Sequence, residues 1–207
     1  MPDYRLEHHH GGRVAGIDEA GRGPLAGPVL AAAVVFRKKP RAALAKLLDD
    51  SKRLSPAARD AAFAALRDAA LAGLLDFAIA AASSAEIGRI NILAATHLAM
   101  RRAVLRLREA PDLALVDGNR APALPCATQC VIGGDAECFS IAAASILAKV
   151  TRDRAMRRLH LRWPAYGFAQ HVGYPTAAHR AALAEHGPSP HHRRGFAPVD
   201  QAVLHFA

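Results

Sequence analysis

Cysteine, aromatic side chains and acids are all in short supply in this chain, and each shortage excludes something. The cysteines are Cys126, Cys130 and Cys138, an odd count that suits a reducing compartment rather than a disulfide framework. If Cys126 and Cys130 share one strand, they stand about 13 Å apart, too far to be bridged, and their spacing is not a zinc pattern. Long uncharged apolar runs are missing: the Ala-rich stretches are broken by charges, so a membrane span is not expected. The N-terminus carries acids early and no apolar run, so no signal peptide is expected and the location reads as cytoplasmic. Aromatics make up only 5% of the chain, so any packed core is built largely from small residues.

The shortage of acids has the widest consequence. Eighteen Asp and Glu face 27 Lys and Arg, a formal charge of +9. A protein this basic favours polyanions, and nucleic acid is the first candidate. Hydrophobic residues reach 52% of 207, enough for a core without disulfides or a structural metal.

Residues 13–18 read as a short buried strand, turned sharply by Gly21, Gly23, Pro24 and Gly27 into a second strand at 30–36, a hairpin. A short helix is expected at 41–49. Ser55 followed by Pro56 marks an N-cap and first helical position for a helix to about Ala72. Further strands are expected at 75–82, 113–117 and 126–132, with helices at 92–109, 140–158 and 176–186. The alternation predicts an α/β domain with a mixed sheet flanked by helices. Residues 1–12, with His8, His9 and His10, read as a disordered arm. Residues 13–207 read as a single domain whose last part, from about 160, is helical and loop-rich.

Three strand ends carry acids: Asp18 with Glu19, then Asp117, then Asp135, each beside glycine. Carboxyl ends of strands are where open α/β sheets build sites. Converging carboxylates repel one another, and a divalent cation removes the conflict. Oxygen ligands without Cys or His point to Mg²⁺ or Mn²⁺. Neighbours on a regular strand point to opposite faces, so Asp18 and Glu19 share a site only if the strand ends or bends there. Two metals about 4 Å apart can activate a water and stabilise the leaving oxygen of a phosphoryl displacement. Composition and spacing thus reach a candidate nuclease and no further.

The segment Gly16-Ile-Asp-Glu-Ala-Gly-Arg-Gly-Pro-Leu-Ala-Gly27 resembles the opening motif of the type 2 ribonucleases H. The likeness continues at Asp50-Ser-Lys-Arg-Leu-Ser55, Asn91-Ile-Leu-Ala-Ala-Thr96, Asp117-Gly-Asn-Arg120 and Ser145-Ile-Leu-Ala-Lys-Val-Thr-Arg-Asp153. It runs on through Tyr166-Gly-Phe-Ala-Gln-His171, Gly173-Tyr-Pro-Thr176 and His191-His-Arg-Arg194. Eight motifs in family order, from about residue 13 to 200, look like the bacterial branch, ribonuclease HII. Type 3 enzymes share a similar opening motif but carry an extra N-terminal domain. Only a dozen residues precede Arg13, so type 2 is expected.

The resemblance implies a ribonuclease H-like fold and four active-site acids matching Asp18, Glu19, Asp117 and Asp135, which hold two ions of Mg²⁺ or Mn²⁺. It implies cleavage of the RNA strand of RNA–DNA hybrids, and 5′ to ribonucleotides embedded in duplex DNA, with 3′-hydroxyl and 5′-phosphate ends. It makes Gly21-Arg22-Gly23 the sensor of the ribonucleotide 2′-hydroxyl, a group only RNA offers. A site needing that hydroxyl could reject deoxyribose by roughly 10⁴-fold. It places Tyr174 on the following deoxyribose. Arg22, Ser51, Lys52, Lys149 and Arg152, with Arg193 and Arg194, are expected to meet the substrate, mainly at phosphates. Lys149 and Arg152 lie three apart on one helix face. The family often has Lys where this chain has Val172. His171, His191 and His192 are expected to be structural or substrate-facing, and Trp163 and Met100 to be core. The expected state is a monomer bound to no membrane. Two rivals stand beside this reading: another two-metal nuclease on a related fold, and a non-catalytic module that binds RNA–DNA hybrids.

Overall fold

A computed structural model describes residues 2–48 and 54–206. In chain order the elements are α1 (Arg5–His10), β1 (Val14–Ala20), β2 (Val29–Phe36), α2 (Ala42–Ala45), α3 (Pro56–Leu71), β3 (Leu75–Ala82), α4 (Ser84–Leu105), β4 (Leu113–Asp117) and β5 (Ala127–Val131). Then come α5 (Gly134–Glu137), α6 (Phe139–Arg162), a 3-10 turn (Pro164–Tyr166), α7 (Phe168–His171), α8 (Ala177–His186) and α9 (Ala197–Phe206).

The five strands form one sheet in the order β3-β2-β1-β4-β5. β1 and β2 pair antiparallel across the short Gly- and Pro-rich connection after β1, and β3 pairs antiparallel to β2. β4 and β5 join parallel to β1. Both faces are covered, so β2 is buried at every position. Its alternate residues Val29, Ala31, Ala33 and Val35 pack with Ala95, Ala99, Met100 and Ala103 of α4. Ala32, Val34 and Phe36 pack instead with Phe63 and Leu66 of α3 and Ala143, Ile146 and Leu147 of α6. The abundance of Ala lets helices approach the sheet closely. At Gly16 the approach is extreme: a Cβ there would stand 2.2 Å from the Ser140 carbonyl carbon.

Helix signals account for several boundaries. Ser55 caps α3 by accepting from the Ala58 amide, with Pro56 at the first helical position. α4 begins eight residues earlier than its apolar pattern suggests, because Ser83 and Glu86 form a reciprocal capping box. The expected start at Ile92 is nonetheless a real break: Asn91 leaves helical geometry with φ 65° and caps the continuing turns by accepting from the Ala94 amide. The helix expected at 41–49 shrinks to four residues.

The expected disordered arm is a correction. Residues 5–10 form α1, and Glu7 is only 4% exposed. One Glu7 oxygen accepts from both the amide and the hydroxyl of Ser140, at 2.8 and 2.7 Å. Cys138, at the N-cap of α6, offers no side-chain cap, so a carboxylate from α1 satisfies an otherwise orphan amide of the first turn and complements the helix dipole. Three successive histidines hid this role, because the one informative residue precedes them.

Candidate active site

The register of the sheet builds the site. Pairing between β1 and β4 stops at Ile17 and Val116, so Asp18 and Asp117 occupy the next positions on two adjacent parallel strands. They line one cavity of about 260 Å³ together with Glu19, Gly21, Arg22, Gly23, Ser145, Lys149, Arg152 and Tyr174. A larger cleft of about 730 Å³ opens between the end of β2, α2 and α3. Its walls are mainly apolar, and among the described residues that line it Asp68 is the one acid.

β1 does not end at Asp18 but runs on to Ala20, with Asp18 opposite Ala32 and Glu19 opposite Ala31 on β2. By strand alternation Asp18 shares its face with Gly16 and Ala20, toward α6, and Glu19 shares its face with Ala15 and Ile17, toward α4. Glu19 still reaches the cavity wall, where Arg22 lies 3.3 Å from its carboxylate.

Asp18 is 6% exposed. Burial, then the charges of Glu19 and Asp117, push its carboxyl well above the usual range, while hydrogen bonds from the Ser145 hydroxyl and the Glu19 amide pull the other way. Asp117 is fixed by accepting from the Gly134 amide at 2.8 Å. These buried, mutually repelling oxygen donors are the chemistry a hard divalent ion satisfies, so the residues fit one. Among the described residues no three His, Cys, Asp or Glu side chains already form a metal-holding group.

Asp135 departs from its expected place. It belongs to α5 rather than to a strand end, is 7% exposed, and does not line the cavity. It stands one residue beyond the amide that holds Asp117. Ser51 and Lys52 lie outside the described residues.

Two of the expected phosphate contacts are loop clamps instead. Arg152 is buried, and its three nitrogens donate to the carbonyls of Pro28, Val172 and Ala26. It also explains Gly21, which has φ 99° and whose Cβ would lie 2.0 Å from Arg152 Nε. Arg193 is wholly buried and donates to the carbonyls of Gly21, Arg22, Pro24, Gly27 and Pro28. Burial and the neighbouring Arg152 charge pull it down to about 9, so it remains cationic at neutral pH. Arg194, its exposed neighbour, lies against Gly88 of α4, in a different cleft from the acids. Lys149 does line the cavity, paired with Asp153 at 3.0 Å, and Arg22 keeps half its side chain in solvent.

Tyr174 is 43% exposed and lines the cavity beside the glycine turn, with its ring carbon Cε1 3.5 Å from where a Gly23 Cβ would be. Val172 adopts left-handed geometry, φ 44°, and its side chain packs on the Met156, Tyr166 and Phe168 cluster. An apolar group thus fills that position. His192 is buried rather than substrate-facing. Ser145 is the wall residue that sequence reading passed over, although it opens one of the motifs; an Asp on one element and a Ser on another carry no spacing signal.

The family model for ribonuclease HII matches residues 15–199. Ribonuclease HII of Granulibacter bethesdensis is 65% identical over 204 residues, covering 98% of this chain and 92% of the relative. That of Gluconobacter oxydans is 59% identical, covering 98% and 97%. Among solved structures, the ribonuclease H2 from Pyrococcus horikoshii matches with a TM-score of 0.75 at 26% identity, covering 94% of this chain and 98% of the other.

Proposed function

The chain belongs to the ribonuclease HII family and is a hydrolytic endoribonuclease; from that premise we propose that it cuts the RNA strand of RNA–DNA hybrids and nicks duplex DNA 5′ to an embedded ribonucleotide. The observation that carries the finer reading is the shared cavity. It is lined by Asp18, Glu19 and Asp117 and also by the Gly21–Gly23 turn and Tyr174.

In this reading Asp18, Glu19 and Asp117, with Asp135 added by family likeness, hold two ions of Mg²⁺ or Mn²⁺. When bound, such ions lower the pKa of the attacking water and stabilise the departing 3′-oxygen, giving 3′-hydroxyl and 5′-phosphate ends. The rest is the work of this chain. The Ser145 hydroxyl and the Gly134 amide orient Asp18 and Asp117. Gly21 and Gly23 bring backbone to the 2′-hydroxyl without side-chain bulk. Arg152 and Arg193 hold that turn rigid from behind. Tyr174 offers its exposed ring to the following sugar, and Lys149 and Arg22 offer charge to the phosphates. No described helix is long and apolar enough to cross a membrane.

A substrate panel tests this: a DNA duplex with one ribonucleotide, an RNA–DNA hybrid, and all-DNA duplex. The reading expects cleavage of the first two and not of the third. Equal cleavage of all-DNA would favour a general two-metal nuclease, and binding without cleavage at any metal concentration would favour a binding module.

A further inference from the structure

Behind Tyr174, and outside the acid cluster, lie two buried imidazoles that the mechanism above does not use. His192 Nδ1 is 2.9 Å from the Ser189 amide nitrogen and 2.9 Å from the Ser189 hydroxyl oxygen, which can donate to it as well. His192 Nε2 is 3.1 Å from His179 Nε2. His179 Nδ1 is 2.9 Å from the Tyr174 carbonyl oxygen. His179 is 0% and His192 5% exposed.

The ends of this chain dictate where every proton resides. A backbone amide can only donate, so His192 Nδ1 is the acceptor and its proton is on Nε2. That proton is donated to His179 Nε2, which leaves the His179 proton on Nδ1. A carbonyl can only accept, so Nδ1–H donates to Tyr174. All three bonds form only when both rings are neutral and carry opposite tautomers. A further proton would set one N–H against another.

The surroundings favour that state. Phe168 packs edge-on to His179 at 5.5 Å, and Tyr166 packs against His192 at 4.8 Å. The titratable groups around the pair are His171 of α7, stacked on His179 at 4.5 Å, Tyr166 of the 3-10 turn, and His191, with His186 at the end of α8 packed on the Tyr166 ring. Burial pushes both imidazoles down, His192 to about 4.

The bonds converge on one short loop. His171 Nδ1 accepts from the Gly173 amide while its Nε2–H donates to the Tyr166 carbonyl. The Gly173 carbonyl accepts from the Leu25 amide, next to the glycine turn. Arg152 holds the Val172 carbonyl, and His179 together with the Thr176 amide holds that of Tyr174. The Tyr174 ring is the exposed part of an otherwise pinned segment.

We propose that His179 and His192 form a proton-ordered relay of positioning residues that fixes Tyr174 at the cavity wall and so sets substrate recognition rather than the chemical step. This rests on the reading of Tyr174 as a substrate contact.

Two measurements on the full chain test it. In ¹⁵N-histidine NMR spectra of the wild-type protein at pH 7, His179 is expected as the Nδ1–H tautomer and His192 as the Nε2–H tautomer. Free imidazole tautomers in fast exchange, or a charged ring, would overturn the relay without reference to catalysis. In kinetics on the one-ribonucleotide duplex, His179→Phe is expected to raise KM about tenfold, the worth of one lost hydrogen bond, with kcat within about twofold. His179→Asn, whose amide nitrogen stands near Nδ1, is expected to restore most of the loss. In a Tyr174→Ala background His179→Phe should add nothing. Additive effects, or a loss confined to kcat, in an enzyme that still nicks beside the ribonucleotide would overturn the relay alone. A wild-type protein unable to cut that duplex would overturn both the relay's role and the function it serves.

Discussion

Asp18 and Asp117 each follow the last paired residue, Ile17 and Val116, of two adjacent parallel strands. Their meeting is therefore a consequence of sheet register, and the cavity opens where pairing between those strands stops. Burial and like charge then make Asp18 hard to ionise in the ion-free protein.

That difficulty has a measurable sign. The folded carboxyl binds its proton more tightly than the unfolded one, so ionising it costs folding free energy. Ion-free protein is expected to lose stability as pH rises from the ordinary carboxylate range through the raised value of Asp18. Asp18→Asn should remove that loss and raise the ion-free melting temperature at pH 7, while abolishing stabilisation by added Mn²⁺. Calorimetry across pH, with and without the ion, checks both halves.

Glu7→Ala is expected to destabilise the protein by about 1–2 kcal/mol, the usual worth of a lost helix cap with a buried bond. Glu7 lies on α1, away from the cavity, so kcat should stay unchanged. Urea unfolding beside a kinetic assay checks the separation.

The neighbours Arg193 and Arg194 should behave oppositely. Arg193→Lys cannot serve five carbonyls and is expected to cost about 2–4 kcal/mol, since buried acceptors are left unsatisfied. Arg194→Ala is expected to change stability by less than about 0.5 kcal/mol. Denaturant midpoints compare them directly.

Salt dependence separates clamps from phosphate contacts. Lys149→Gln is expected to flatten the slope of log affinity against log salt by about 0.9, one released counterion. Arg152→Gln should weaken folding and leave that slope unchanged, because its donors face protein carbonyls.

Much of this was legible in the chain. Local chemistry announced the hairpin, the α3 cap and the order of strands and helices, because turn residues and apolar periodicity act over a few positions. The resemblance named Asp18, Glu19 and Asp117, and the cavity brings these three together. What local pattern does not carry is which side chain faces inward across a long separation. Arg152 and Arg193 look like any basic residue until the carbonyls of residues 21–28 surround them. Glu7 looked like part of a polar tail until Ser140 met it, 133 positions away. Asp135 followed a strand in the sequence, but it falls in the first turn of the short helix α5, and a turn beginning at Gly133 separates it from the end of β5.

The most direct measurement is the product map of a DNA duplex carrying one ribonucleotide, cut in Mg²⁺ or Mn²⁺ by the wild-type chain and by Asp18→Asn. The wild type should give a single nick 5′ to the ribose, leaving 3′-hydroxyl and 5′-phosphate ends, and Asp18→Asn should be slower by about a thousandfold or more. Undiminished cleavage by Asp18→Asn, or nicks scattered along the deoxyribose backbone, would contradict the assignment of this cavity as the site of ribonucleotide cleavage.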